Sequence, residues 1–171
     1  MDLTAEPVLN AVIYVENLYE GDLNLESVKA VESIPWTDWF ETWLKSLRSD
    51  IFAADGYEIG LRLTGDRQIQ TLNSEYRFLA QPTDVLAFAA TEGNMPLPVD
   101  IGEPLYLGDI IVSLDTAARQ ASEQNHSLVV ELAWLTSHGL LHLLGWDHPD
   151  DLSLAQMLNQ QSDLLELIEI K

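Results

Sequence analysis

The sequence predicts an α+β fold in which a small four-stranded mixed sheet packs against about five helices, one of them a central apolar helix. Two patterns support this prediction: four short segments rich in β-branched or alternating residues, and longer segments with helical periodicity between and after them. The third observation is the length of 171 residues without an internal repeat. We therefore expect residues 1–171 to form a single domain.

Four segments have the composition of β-strands. They are residues 8–15 (VLNAVIYV), 57–64 (YEIGLRLT), 84–89 (DVLAFA) and 105–112 (LYLGDIIV). In the second segment, alternation places Leu61 and Leu63 on one face and Arg62 on the other. Gly108 interrupts the fourth, which predicts a β-bulge or a close approach of backbone to another group.

Five segments have the periodicity and the capping residues of helices. They are residues 35–47, 66–76 with Asp66 as the cap, 114–124 capped by Ser113, a segment through residue 144 capped by Ser127 or Asn125, and one that begins at Asp151. The fourth is apolar almost all round, which places it in the middle of the protein. Loops are expected at residues 17–27, where a short helix can begin, at 78–82 and at 91–104.

Charge and composition exclude several classes of site. The net charge is -20, from 28 acidic and 8 basic residues, so the surface repels nucleic acids and anionic membranes at long range. Arg62, Arg67 and Arg77 fall within one short segment, which can hold one phosphate or pair with neighbouring carboxylates.

Because there are no cysteines, disulfides and thiolate metal sites are excluded. Without a signal-peptide pattern or a long apolar run, we expect a cytoplasmic protein that does not contact membranes.

The most informative segment is residues 138–148, which has the pattern H-x-x-x-H-x-x-G-x-x-H. On a helix, His138 and His142 project from one face, one turn apart. Gly145 can end that helix in a left-handed turn, which brings His148 back toward the first two rings. Three imidazoles around one point with an open fourth position are typical of a catalytic zinc site. The alternative is that the histidines are hydrogen-bonded core residues.

Position 139 separates this pattern from that of the metzincin proteases, which it otherwise matches. Those proteases carry a glutamate there as general base, whereas this chain has Gly139. The pattern therefore favours a metal-dependent hydrolase that is not a peptidase of that class. The fourth histidine, His126, lies outside the pattern, and we expect it in a loop or at the start of a helix.

Several separate motifs resemble those of the YbeY family of bacterial and organellar endoribonucleases and rRNA maturation factors. Besides the histidine segment with its Gly-Trp-Asp-His ending, they are Leu72-Asn73 with Tyr76-Arg77, Pro82-Thr83-Asp84-Val85-Leu86 with Phe88, Leu107-Gly108-Asp109-Ile110 with Ser113, and Arg62 on its strand. The resemblance covers roughly residues 57–150. One departure is that Phe78-Leu79-Ala80 stand where the family commonly has Gly-Lys-Asp.

The resemblance implies an α+β fold with a metal-bearing helix beside the sheet. It implies one zinc ion held by His138, His142 and His148, and cleavage of single-stranded RNA. It also implies roles in maturing the 3′ end of small-subunit (16S) rRNA and in ribosome quality control. The residues alone leave nickel or another divalent metal open, because three imidazoles suit several metals.

A hydrolytic mechanism is compatible with these residues. In this hypothesis zinc activates a water for attack on a phosphodiester, and Arg62 binds the phosphate and stabilises its charge. For Arg62 the alternative is a partly buried ion pair. Asp147 can form a hydrogen bond with a ligand imidazole or cap the turn. Asp109 either lies near the site or accepts a hydrogen bond at the end of a strand. Arg77 either contacts the RNA backbone or forms a structural ion pair.

Two other functions remain open at this point. A zinc-stabilised ribosome-assembly factor would bind ribosomal proteins or a GTPase through its acidic surface and cleave nothing. A metal sealed by a fourth protein ligand, such as Asp147, would favour that function. An unusual peptidase is the other, and Gly139 counts against it.

Overall fold

The computed structural model describes residues 9–48, 51, 54–90 and 104–170. In these ranges the elements are β1 (Asn10–Asn17), α1 (Leu25–Glu32), α2 (Trp36–Ser46), β2 (Gly56–Thr64), α3 (Asp66–Arg77), β3 (Val85–Ala89), β4 (Leu105–Ser113), α4 (Leu114–Glu123), α5 (Leu128–Leu143) and α6 (Asp151–Leu167). The α+β class is confirmed, and α1 adds a sixth helix to the five expected. Of the loop expected at 91–104, residues 91–103 lie outside the described residues, as does residue 8 of the first expected strand.

The four strands form one mixed sheet in the order β1-β2-β4-β3. The pairs β1–β2 and β2–β4 are parallel, whereas β3 runs antiparallel to β4. Gly108 has a φ of +137°, and the pairing of β2 with β4 shifts register beside it, between Glu58 and Ile59. A Cβ at Gly108 would collide with the carbonyl oxygen of Phe88. The predicted bulge and the close approach of backbone therefore both occur at Gly108. In the strand order, β3 forms one edge of the sheet.

Side-chain caps begin most of the helices. Ser113 and Ser127 accept hydrogen bonds from the backbone N–H groups of residues 116 and 130, as the sequence predicts for α4 and α5. Asp66 differs from expectation because the N-cap of α3 is Gly65. The Asp66 carboxylate instead accepts hydrogen bonds from Ser113 Oγ at 2.7 Å and Thr116 Oγ1 at 2.6 Å. Burial acts to raise the pKa of Asp66, but these hydrogen bonds and Arg119 outweigh it and lower the pKa.

Most of the core lies on one face of the sheet, around α5. Leu132, Ala133, Leu140 and Leu141 of α5 are fully buried there, together with side chains of β2, β4, α2 and α6. A smaller cluster centred on Ile69, Leu86 and Ile111 joins α3 to the opposite face. Within the described ranges, no helix has both the length and the apolar character needed to cross a bilayer.

Gly139 allows α5 to lie very close to the sheet. A Cβ built at this position would be 2.9 Å from Cγ2 of Ile110, which is fully buried on β4. Real Cβ atoms do not come that close, so any larger residue would require the Ile110 side chain or the helix to shift. The packing gives a physical reason for glycine at the position where the proteases carry glutamate.

Candidate metal centre

Three histidines converge at the C-terminal end of α5. His138 and His142 lie on successive turns, with their Nε2 atoms 2.9 Å apart. The ring of His148 is 5.7 Å from that of His138 and 5.5 Å from that of His142, centroid to centroid. One nitrogen from each ring can be chosen so that all three lie within 4.8 Å of one another. The rings therefore meet as the sequence pattern predicts.

The turn after α5 positions the third histidine. Gly145 has a φ of +97°, in the region that favours glycine, and its N–H donates to the carbonyl of His142 at 3.1 Å. Trp146 N–H donates to the carbonyl of Leu141 at 3.0 Å. The Asp147 carboxylate accepts the backbone N–H of His148 at 2.8 Å, so Asp147 stabilises the turn. Among the described residues, the three histidines alone form a possible metal-binding group, and Asp147 is not part of it.

Gln161 of α6 orients His138, and the sequence analysis missed it. Its Oε1 lies 3.0 Å from His138 Nδ1, and its Nε2 donates to the carbonyl of Trp134 at 3.2 Å. The second bond identifies Oε1 as the acceptor, so His138 carries its proton on Nδ1 and turns the Nε2 lone pair toward His142. The signal in the sequence was a polar residue within the apolar stripe of Met157, Leu164 and Leu165. In the structure Gln161 is fully buried.

The electrostatics of the group favour a neutral imidazole at His142. Burial lowers the pKa of His142, and repulsion by His138 and His148 lowers it further. A backbone hydrogen bond with Trp146 and the charge of Asp147 act in the opposite direction without reversing the shift. Because metals bind the neutral form of histidine, this donor set fits a divalent ion, and the group could hold one.

An open cavity of about 630 Å³ adjoins the histidines. One wall is α5 and the turn after it, including Trp134 and Trp146, and the opposite wall is the edge strand β3. Arg77 also lines this cavity, and its Nη2 donates to the carbonyl of Ala87 at 3.1 Å. The Arg77 guanidinium carbon lies 5.2 Å from the centroid of the Phe88 ring. A cation is therefore held against β3 beside the candidate metal centre.

The structure does not bring Arg62 or Asp109 together with the histidines. Both line a separate cavity of about 470 Å³, on the sheet face that packs against α3. The Arg62 Nε atom is buried and has no hydrogen-bond partner among the described residues. Burial raises the pKa of Tyr106, and its hydrogen bond with Asp109 raises it further. The expected site residues thus divide into two groups on opposite faces of the sheet.

The fold and the site together define an α+β protein with a three-histidine centre that could bind a metal. The chain matches the family described as Endoribonuclease YbeY over residues 23–169. It is 60% identical over 142 residues to Endoribonuclease YbeY of Trichormus variabilis, covering 82% of this chain and 81% of that protein. It is 52% identical over 165 residues to the protein of the same name from Picosynechococcus sp., covering 96% and 98%.

The fold is also shared with a solved structure. The solution structure of TM1509 from Thermotoga maritima covers 92% of this chain and 89% of its own, with a TM-score of 0.52 and 23% sequence identity. The chain belongs to the YbeY family.

Proposed function

We propose that this protein is a zinc-dependent endoribonuclease that cleaves single-stranded RNA during maturation of the 3′ end of 16S rRNA and in ribosome quality control. The observation that carries the proposal is the convergence of three imidazoles beside an open cavity. Relatives that match most of the chain are named endoribonucleases. Because the described residues supply no fourth ligand, solvent and substrate have access to the metal position, which favours catalysis over a sealed structural site.

In the proposed site, His138, His142 and His148 hold the zinc ion. When bound, zinc supplies Lewis acidity that lowers the pKa of water to about 7. Gln161 keeps the His138 proton on Nδ1, so that Nε2 remains available as a ligand. The guanidinium of Arg77, held beside β3 in the same cavity, would contact a phosphate of the bound RNA.

Arg62 has a different place in this proposal from the one expected from sequence. Its position on the opposite face of the sheet supports a contact with another part of the RNA, rather than with the phosphate at the histidines. The buried Nε of Arg62 has no hydrogen-bond partner among the described residues, which is compatible with a contact to RNA. Because Glu16, Glu58 and Asp109 line the same cavity, an ion pair with these carboxylates is the alternative.

The proposal is tested by removing a ligand. We expect His142→Ala to lose stoichiometric zinc and RNA cleavage together, measured by metal analysis and by cleavage of a defined single-stranded RNA with and without chelator. Glu32→Ala is the control, because it changes an exposed side chain of α1 that does not line either cavity along α5. Full cleavage by a metal-free His138→Ala, His142→Ala double variant would refute the mechanism.

The same experiment separates the second candidate function, in which the protein is a zinc-stabilised assembly factor for ribosomal proteins or a GTPase. The net charge of -20 favours contact with basic proteins. In that case the wild-type protein would bind zinc, which would raise its thermal stability, and would leave every RNA intact.

A further inference from the structure

A second cavity lies along α5, next to the cavity beside the histidines. The second one has a volume of about 560 Å³ and shares Asp84, Trp134 and Leu135 with the first. His142, His138 and Trp134 follow one another at intervals of four residues, so they lie on one face of the helix. The backbone of Trp134 is therefore about 6 Å along the helix axis from that of His138. A nucleotide next to the reacting phosphate would reach its ring.

Trp134 differs from a core tryptophan. Trp43 is fully buried and donates its indole N–H to the carbonyl of Leu164 at 2.9 Å. Trp134 is half-buried and borders both cavities. The apolar pattern of α5 includes Trp134, which explains its position on the helix but not its exposure. An aromatic ring that borders an open groove provides a flat surface on which a base can stack.

The charges of the second cavity select against a phosphate. Asp84, Glu123 and Glu131 line it, and the potential cation, His126, already pairs with Glu131 at a distance of 2.5 Å between Nε2 and Oε2. Asp84 is held in place by the N–H of Val85 at 2.7 Å and by the side-chain amide of Gln120 at 3.2 Å. A carboxylate has about four lone-pair positions, so Asp84 can accept a further hydrogen bond.

We propose that this second cavity is a nucleobase subsite, in which Trp134 stacks on the base of a nucleotide next to the cleaved phosphate and Asp84 accepts a hydrogen bond from its exocyclic amine. Adenine, cytosine and guanine carry such an amine, whereas uracil does not. The subsite therefore disfavours uridine at one position. This inference rests on the proposed endoribonuclease function, and it adds a sequence preference to it.

The test uses zinc-loaded protein and a single-stranded RNA, together with a series in which one base at a time is removed to leave an abasic ribose. For the wild type, we expect loss of one particular base to lower kcat/KM about tenfold, the typical effect of removing one stacked base. In Trp134→Leu the complete RNA is cleaved about tenfold more slowly, and removal of that base has no additional effect. Trp134→Phe retains an aromatic ring and should restore most of the activity.

Asp84→Asn tests the hydrogen bond separately, and it should reduce the discrimination against uridine at the same position. Zinc content is measured for each variant, because a change in metal binding would show a structural effect. The inference is overturned if Trp134→Leu keeps the wild-type response to base removal or cleaves at the wild-type rate. A wild-type protein that cleaves none of the RNAs would overturn the proposed function instead. Fluorescence anisotropy of the same RNAs would then decide whether the base-specific contact at Trp134 exists.

Discussion

Replacing Gln161 with leucine is expected to weaken zinc binding about 10- to 100-fold, although no histidine is changed. Gln161 is fully buried and accepts the Nδ1 proton of His138 at 3.0 Å. Leucine removes that acceptor. In the zinc-bound state the proton must stay on Nδ1 without a partner, and an unpaired buried donor costs about 1–3 kcal/mol. In the metal-free state the proton can move to Nε2, so the cost falls on the bound state and reduces affinity.

The assay is competition for zinc with a chromophoric chelator at neutral pH. Gln161→Glu serves as the conservative comparison because it keeps an acceptor for His138, and its affinity should lie nearer to that of the wild type. Thermal unfolding of the metal-free variants shows whether leucine has disturbed the packing of α6 on α5. If Gln161→Leu binds zinc within about twofold of the wild type, the orienting role of Gln161 is wrong.

Three further predictions concern stability. Phe78 has a left-handed φ of 60° and is 88% exposed. Phe78→Gly should therefore raise the free energy of unfolding by about 1 kcal/mol, measured by urea titration. Phe78→Ala keeps a Cβ and should give no such gain. Gly139→Ala should lower stability by about 1–3 kcal/mol because its Cβ would press on Ile110, and a higher Tm would contradict the packing argument. The third prediction follows from the lowered pKa of His142. Below the ordinary histidine pKa of 6.5, the unfolded chain takes up a proton at His142 that the folded chain resists. The metal-free protein should therefore lose stability as the pH falls through 6.5. His142→Gln should lose less over the same pH range, and equal losses would show that other groups cause the effect.

The histidine centre was predictable because it is local. Its three histidines lie within eleven residues, and the helical repeat with the turn at Gly145 fixes where each ring points. The site of Arg62 was predictable only in part. Alternation correctly placed Arg62 opposite Leu61 and Leu63, but it did not show that α5 packs on the leucine face. That depends on how the crossover connections wind around the sheet, which no local pattern encodes.

Long-range contacts account for the other differences. Asp66 looked like a helix cap, yet its carboxylate accepts hydrogen bonds from Ser113 at the end of β4 and from Thr116 in α4, 47 and 50 positions later. The spacing of Ile69, Leu72 and Tyr76 predicts that all three face inward, whereas Tyr76 is 57% exposed in the structure. Gln161 could have been identified as an unusual polar residue in an apolar stripe, but its partner His138 was visible only in three dimensions.

The close packing of Gly139 on Ile110 has a consequence for how this scaffold can evolve. A glutamate at that position is the change that would supply a peptidase with its proton acceptor, and it is also a change that the contact with Ile110 opposes. The two chemistries are therefore separated by a repacking of α5 on β4 as well as by the substitution itself.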